Sequence, residues 1–169
     1  MKITSAQAAK MLKKLNEEHG ALLKQEKLSK TFLAASGEDP ESLRPAYDYA
    51  GTQAKLTELE GRIRALKHAL NVFNSTHAVP GFGMTVDQIL VYIPQLTAKV
   101  ARLYEMKSRL PKMRVEDRYG KSSNIIDYTY ANYDIAAVAA DYEKAADELA
   151  RAQLALDMLN SSETFDIEI

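Results

Sequence analysis

Apolar residues recur at alternating steps of three and four along four long stretches of the chain. This period is typical of α-helices that pack lengthwise against other helices. Glycine and proline cluster at Gly37–Pro45, Pro80–Gly83 and Pro111–Gly120, and these clusters separate the stretches. The pattern therefore predicts helices at about residues 5–33, 41–76, 85–110 and 133–160.

Two of the predicted helices begin with a capping box, in which two side chains satisfy backbone N–H groups at the helix start. These pairs are Thr4 with Gln7 and Thr85 with Gln88. The fourth helix carries the most regular apolar stripe, which consists of Ile135, Val138, Tyr142, Ala145, Leu149, Ala152, Leu156 and Leu159. Short connections favour antiparallel neighbours. We therefore expect a mainly all-α fold, an antiparallel four-helix bundle that forms a single domain over residues 1–169. Heptads this regular also leave coiled-coil pairing between chains open, and a homo-oligomer is expected.

Residues 112–131 break the helical period. An alternating segment, Lys112–Asp117, is followed by a turn at Arg118–Ser122 and by Asn124–Tyr130, which is rich in β-branched and aromatic residues. This order predicts a β-hairpin between the third and fourth helices. Because an isolated two-stranded ribbon is marginally stable in water, we expect it to pack on its own bundle or on another subunit.

Composition excludes several classes of protein. The 169 residues are 46% hydrophobic and 27% charged, with a formal net charge of -1, so no global field attracts nucleic acid or an anionic membrane. There is no cysteine, and hence no disulfide or thiolate site. No signal-peptide core and no stretch of 18 apolar residues occurs. We expect a cytoplasmic protein without a transmembrane segment.

Catalytic motifs are missing from the sequence. Phosphate-binding glycine loops and the serine nucleophile elbow have no counterpart. None of the three histidines has the Glu-x-x-His spacing of a bundle metal site. His19 and Glu26 lie seven residues apart on the first stripe, where they either form a buried polar site or, as we prefer, fix the helix register. We therefore expect no enzyme activity, no cofactor and no metal.

The predicted hairpin is the most informative surface. Between Lys99 and Lys121 there are eight basic and three acidic residues, with tyrosines interleaved or close behind. Cations next to aromatic rings suit an acidic protein partner or single-stranded nucleic acid, although such residues often serve only solubility and packing. The candidate binding residues are Arg114, Arg118, Tyr119, Lys121, Tyr128 and Tyr130.

A second candidate site is the polar junction between the second and third predicted helices. A helix N-terminus there suits a small anion, although such residues more often cap helix ends. Its members are Asn71, Asn74, Thr76, His77 and Thr85.

The order of these parts resembles a family of small bacterial helical proteins labelled septicolysin-like, whose biochemical role is not established. The resemblance lies in Gly37–Pro40, in the polar junction together with Gly83, and in Ile126–Ile135 leading into the last helix. It implies a helical fold and, through the label, a membrane-active, cytolysin-like protein.

The first hypothesis for function is a non-enzymatic helical interaction or scaffold protein that self-associates and uses the basic, tyrosine-rich hairpin as its contact surface. A protein that binds nucleic acid or an anionic ligand is the alternative. Membrane activity, as the family label implies, is a further alternative.

Overall fold

A computed structural model describes residues 1–115 and 126–168, and this part of the chain is mainly helical. The mainly α-helical class predicted from the stripes is therefore confirmed. The helices are α1 (Ser5–Ser29), α2 (Pro40–Leu43), α3 (Tyr49–Thr76), α4 (Val86–Lys107) and α5 (Ile135–Ser162). The strands are β1 (Lys2–Thr4), β2 (Ala78–Val79), β3 (Met84–Thr85), β4 (Lys112–Arg114), β5 (Tyr128–Tyr130) and β6 (Thr164–Asp166). They form three antiparallel pairs, β1 with β6, β2 with β3 and β4 with β5.

Two compact units make up the chain. The first comprises Met1–His77 and the segment from Met158 onward, and the second comprises Ala78–Asp157. We describe each unit by itself. The packing of all four long helices as one bundle, in one domain, stays a prediction.

In the first unit α1 packs against α3. His19 contacts Glu60 and Glu26 contacts Gln53, so the two helices run antiparallel. Ala8 and Leu15 of α1 and Leu66 of α3 form a buried core together with Ile3 of β1 and Ile167, which follows β6. Thr4 caps α1 with the predicted capping box.

The first unit is closed by pairing of β1 with β6. Ile3 lies opposite Phe165, and the Met1 ammonium group donates to the Ile167 carbonyl at 2.8 Å. Phe165 packs on Phe73 of α3 with ring centroids 5.1 Å apart. The segment after α5 is thus an integral strand of this unit, which the helical periodicity did not predict.

The predicted helix over 41–76 is interrupted. Arg44 precedes Pro45, and the clash between a proline ring and the preceding residue forces Arg44 into an extended conformation (φ −63°, ψ 119°). Asp48 then accepts a hydrogen bond from the Gly51 N–H and begins α3. The segment predicted as one helix over residues 41–76 therefore consists of the four-residue α2, a short linker and α3.

Two other helices are shorter than predicted. Helix α1 ends at Ser29 instead of residue 33, and the chain then continues without helix to Gly37, where φ is 99°. Helix α4 ends at Lys107, where the Ser108 hydroxyl donates to the Tyr104 carbonyl. A side chain that satisfies a terminal carbonyl favours a helix end at that point.

In the second unit α4 and α5 lie side by side. The Tyr92 hydroxyl donates to Glu148 at 2.7 Å, and the ring centroids of Tyr104 and Tyr142 are 5.9 Å apart. Because the later residue of α4 pairs with the earlier residue of α5, the two helices run antiparallel. The strands β2 and β3 form a tight turn ahead of α4, with Gly81 at a φ of 81°. Buried residues of the two helices are Val86, Ile89, Leu96, Leu103, Ala145, Ala152 and Leu156.

Candidate contact surface on the hairpin

The stem of the predicted hairpin is present as β4 and β5. Lys112 lies opposite Tyr130, and Arg114 lies opposite Tyr128. The ladder continues by one hydrogen bond at each end, from Val115 N–H to the Asp127 carbonyl and from Ala131 N–H to the Pro111 carbonyl. The predicted turn lies outside the described residues.

The register of this ladder separates two faces of the hairpin. Residues opposite each other in an antiparallel pair point to the same side, and residues two apart on one strand do likewise. Lys112, Arg114, Tyr128 and Tyr130 therefore share one side, which we call the basic-aromatic face. Met113 and Thr129 point to the other side.

Cation and rings are in direct contact on the basic-aromatic face. The Lys112 Nζ atom lies 3.9 Å from the centroid of the Tyr128 ring and 5.5 Å from that of Tyr130. The two ring centroids are 6.5 Å apart, and both tyrosines are exposed, at 43% and 62%. A cation over an aromatic face is held by the quadrupole of the ring without being neutralised. The face therefore keeps its positive charge.

Neither Lys112 nor Arg114 forms an ion pair with a residue in the described parts of the chain. Both side chains are exposed. Two other basic residues of the predicted patch do form ion pairs. Lys107 contacts Glu143 at 3.3 Å, and Arg109 contacts Glu105 at 2.7 Å, which raises the pKa of the Arg109 guanidinium. Among the described residues from Lys107 to Val115, the positive charge available to a partner is thus that of Lys112 and Arg114.

Three of the predicted binding residues, Arg114, Tyr128 and Tyr130, come together on this face. The other three, Arg118, Tyr119 and Lys121, lie outside the described residues. Lys112 was not among the candidates, although it makes the closest cation–ring contact. The alternation of a strand carried that signal, because residues 112 and 114 must point to the same side.

The helix ends next to the hairpin are joined by a second cation–ring cluster. Lys107 Nζ lies 3.4 Å from the centroid of the Tyr142 ring and 5.8 Å from that of Tyr104. The Tyr133 hydroxyl donates to the Met106 carbonyl at 2.9 Å. These contacts tie α4 to α5 at the root of the hairpin and give its stem a structured base.

Two residues of the predicted polar junction, Thr76 and His77, have partners within the last turn of α3. His77 ends α3, where its ring stacks on Phe73 at 4.1 Å, and the Thr76 hydroxyl donates to the Val72 carbonyl. Asn71 and Asn74 also lie in the last turns of α3.

Thr85 belongs to the second unit. It forms the predicted capping box with Gln88, and its hydroxyl also bonds Asp87. The contacts described for His77, Thr76 and Thr85 are those of helix caps, and a common anion site stays a prediction.

His19 and Glu26 do not form a common site. His19 Nε2 lies 3.1 Å from Glu60, whereas Glu26 accepts hydrogen bonds from the Tyr47 hydroxyl at 2.8 Å and from the Gln53 amide at 2.7 Å. The bond to Glu26 favours the protonated phenol and raises the pKa of Tyr47. Both side chains serve as polar links between α1 and the chain that follows.

Within residues 1–115 and 126–168, no three His, Asp or Glu side chains converge in a way that suits a metal ion. In the same ranges no helix has the length and hydropathy needed to cross a membrane.

Comparison with known proteins shows the fold alone. No family model matches the sequence, and no curated protein matches it. Among solved structures, the chain is similar to a functionally unknown conserved protein from Corynebacterium diphtheriae, with a TM-score of 0.60 and 19% sequence identity. The match covers 98% of this chain and all of that one. The class defined so far is a mainly helical protein with a hairpin that carries a charged, aromatic surface.

Proposed function

We propose that this protein is a non-enzymatic helical interaction protein whose contact surface is the basic-aromatic face of the hairpin. The observation that carries the proposal is the register of β4 and β5. It brings two cations, which form no ion pair with a described residue, and two exposed tyrosines to one side of a structured stem. Tyrosine and arginine are enriched at the energetic centres of protein interfaces.

An acidic protein segment fits this face better than other partners. Carboxylates can bind Lys112 and Arg114 while Lys112 stays over the ring of Tyr128. The tyrosines then supply apolar contact area around the charges. A two-stranded ribbon also leaves backbone groups free on both outer edges, so an extended acidic segment can add to the sheet.

Self-association is part of the same proposal. A two-stranded ribbon gains stability from further strands or from packing against another surface. The chain has 23 acidic residues, so a second copy can supply carboxylates as well as another protein can.

Fluorescence anisotropy with a labelled glutamate-rich peptide at low salt tests the proposal. We expect binding that weakens as salt rises, because exposed charges are screened. The double variant Lys112→Gln/Arg114→Gln should bind about tenfold or more weakly, since it removes both charge-assisted contacts.

The matched control is Lys10→Gln/Lys24→Gln, which removes two exposed lysines from α1 and should change affinity by about twofold or less. Equal weakening in both double variants would show that only net charge matters. Light scattering on the full chain measures self-association. A strict monomer that also fails to bind the peptide would contradict the proposal.

Single-stranded nucleic acid is the second candidate partner, favoured by the two exposed rings at a centroid separation of 6.5 Å. Base stacking requires a free ring face, whereas Lys112 already occupies one face of Tyr128. Anisotropy with labelled oligothymidine distinguishes the candidates. Nucleic-acid binding should be lost in Tyr128→Leu, whereas binding of the acidic peptide should depend mainly on Lys112 and Arg114.

A further inference from the structure

A cavity of about 580 Å³ lies between the C-terminal turn of α4 and the hairpin stem. Its walls come from the end of α4, the linker after it, both strands of the stem and the chain that leads into α5. Met113 and Thr129 contribute from the side of the hairpin opposite the basic-aromatic face, and Tyr130, a member of that face, lines the edge of the cavity. Small-molecule sites commonly have volumes of about 300–1,000 Å³, so this cavity is of suitable size.

Most polar groups at this cavity are already bonded. Arg109 and Glu105 form an ion pair at 2.7 Å, so the walls carry no unbalanced charge from these residues. The Ser108 hydroxyl donates to the Tyr104 carbonyl, and the Tyr133 hydroxyl donates to a main-chain carbonyl of α4. An ionic ligand would therefore find no unpaired charge among the described lining residues to offset the loss of its hydration.

Two hydroxyls at the cavity form no hydrogen bond with the described residues. They belong to Thr129, on the cavity side of the hairpin, and to Tyr130, at the border with the basic-aromatic face. Each hydroxyl can donate or accept a hydrogen bond. A ligand with one polar atom can be oriented by either group.

The remaining walls are apolar and include flexible side chains. They are formed by the thioethers of Met106 and Met113, the Leu110 side chain and the ring of Tyr130. Methionine sulfur makes favourable contacts with aromatic rings and adapts to irregular shapes. Leu110, Met113 and Tyr130 are all more than half exposed, so together they offer apolar surface that a ligand can cover.

We propose that this cavity binds a neutral, largely apolar small molecule that contains an aromatic ring and one hydrogen-bonding group. The site goes beyond the proposed contact function and uses the opposite side of the hairpin, with Tyr130 at the border of both. A bound ring would cover the exposed apolar surface of Leu110 and Met113 and would leave Lys112 and Arg114 free.

The neutral fluorophore N-phenyl-1-naphthylamine is a direct probe, because its emission rises and shifts to the blue in an apolar site. Titration into the full-length protein should give a saturable increase with one site per chain. Met113→Lys places a charge in the cavity, and Ala131→Leu fills part of it. Each should weaken probe binding by about tenfold or more.

Leu154→Lys is the matched control, since Leu154 is exposed on α5 and does not line the cavity. It should leave probe binding unchanged. Circular dichroism establishes that each variant is folded, and Ala131→Leu keeps the test valid if the new lysine disturbs the hairpin. The proposal is overturned if the probe fails to bind, or if it binds both cavity variants as it binds the wild type.

The same variants separate this proposal from the contact function. Met113→Lys and Ala131→Leu should still bind the acidic peptide, because the basic-aromatic face is unchanged. Conversely, Lys112→Gln/Arg114→Gln should still bind the fluorophore. If a folded cavity variant or Lys112→Gln/Arg114→Gln lost binding of both the peptide and the fluorophore, the two sides of the hairpin would not be separate sites, and this would contradict the proposal.

Discussion

Ile167 offers a sharp test of how the first unit is held together. It is 4% exposed and packs with Ile3, Ala8, Leu15 and Leu66, while its N–H donates to the Met1 carbonyl. Ile167→Ala removes three carbon atoms from this cluster, and at about 0.8 kcal/mol for each buried methylene the transfer loss is about 2.4 kcal/mol. A residual cavity adds to this loss, although a site on a two-stranded edge can partly collapse. We expect the free energy of unfolding to fall by about 2–3 kcal/mol.

Urea denaturation followed by circular dichroism at 222 nm measures the effect. With a slope of about 2 kcal/mol per molar urea, the midpoint should fall by about 1–1.5 M. Ile126→Ala is the matched control, because it deletes the same atoms from a residue that is 52% exposed. It should change the free energy by about 0.5 kcal/mol or less. If the two variants are equally stable, the pairing of β1 with β6 does not contribute to the core as described.

Three further perturbations have definite expected outcomes. Thr4→Val removes the cap of α1 and should lower the free energy of unfolding by about 1 kcal/mol. The hydrogen bond to Glu148 raises the pKa of Tyr92, so its stabilisation is fully present below about pH 10 and is lost as pH rises through the higher folded pKa. The wild type should therefore be more stable than Tyr92→Phe at pH 8, and the difference should shrink above about pH 10. Lys107→Met removes the cation over Tyr142 and should cost about 1 kcal/mol.

Urea midpoints check all three, each against a variant with the same chemical change at an exposed site. The controls are Thr57→Val for the cap, Tyr49→Phe for the phenol and Lys10→Met for the cation. Each control should leave the midpoint nearly unchanged. A cap, phenol or cation variant that matches its control would show that the corresponding contact does not stabilise the fold.

The helices were predictable because each buries a continuous stripe, and a stripe depends only on local spacing. The capping boxes at Thr4 and Thr85 were predictable for the same reason, since both partners lie within one turn. The break at Arg44 was also a local signal, because a residue before proline avoids the helical region. The apolar stripe of the following helix begins only at Leu56, so the stripe itself does not mark where that helix starts.

The pairing of β1 with β6 could not be predicted from local pattern. Its partners are more than 150 residues apart, and three-residue strands carry too little periodicity to be distinguished from loops. The cavity beside the hairpin is likewise a product of tertiary packing. Met106 and Met113 come from different elements, and their convergence depends on how the chain turns after α4.

On the hairpin, the sequence identified three of the four residues of the basic-aromatic face but not Lys112. Arg114, Tyr128 and Tyr130 were identified from composition, whereas Lys112 follows from the alternation of the strand, which places residues 112 and 114 on the same side. The register of β4 and β5 places these four residues on one side of the hairpin, where Lys112 contacts the Tyr128 ring. Tests of function can therefore be restricted to four residues.

The most direct test of the contact surface is nuclear magnetic resonance of the ¹⁵N-labelled protein during titration with the glutamate-rich peptide. We expect saturable shift changes centred on the backbone amides of Lys112, Arg114, Tyr128 and Tyr130. Changes centred on the lysines of α1, or spread evenly over basic residues, would contradict the proposal that this face of the hairpin is the contact surface.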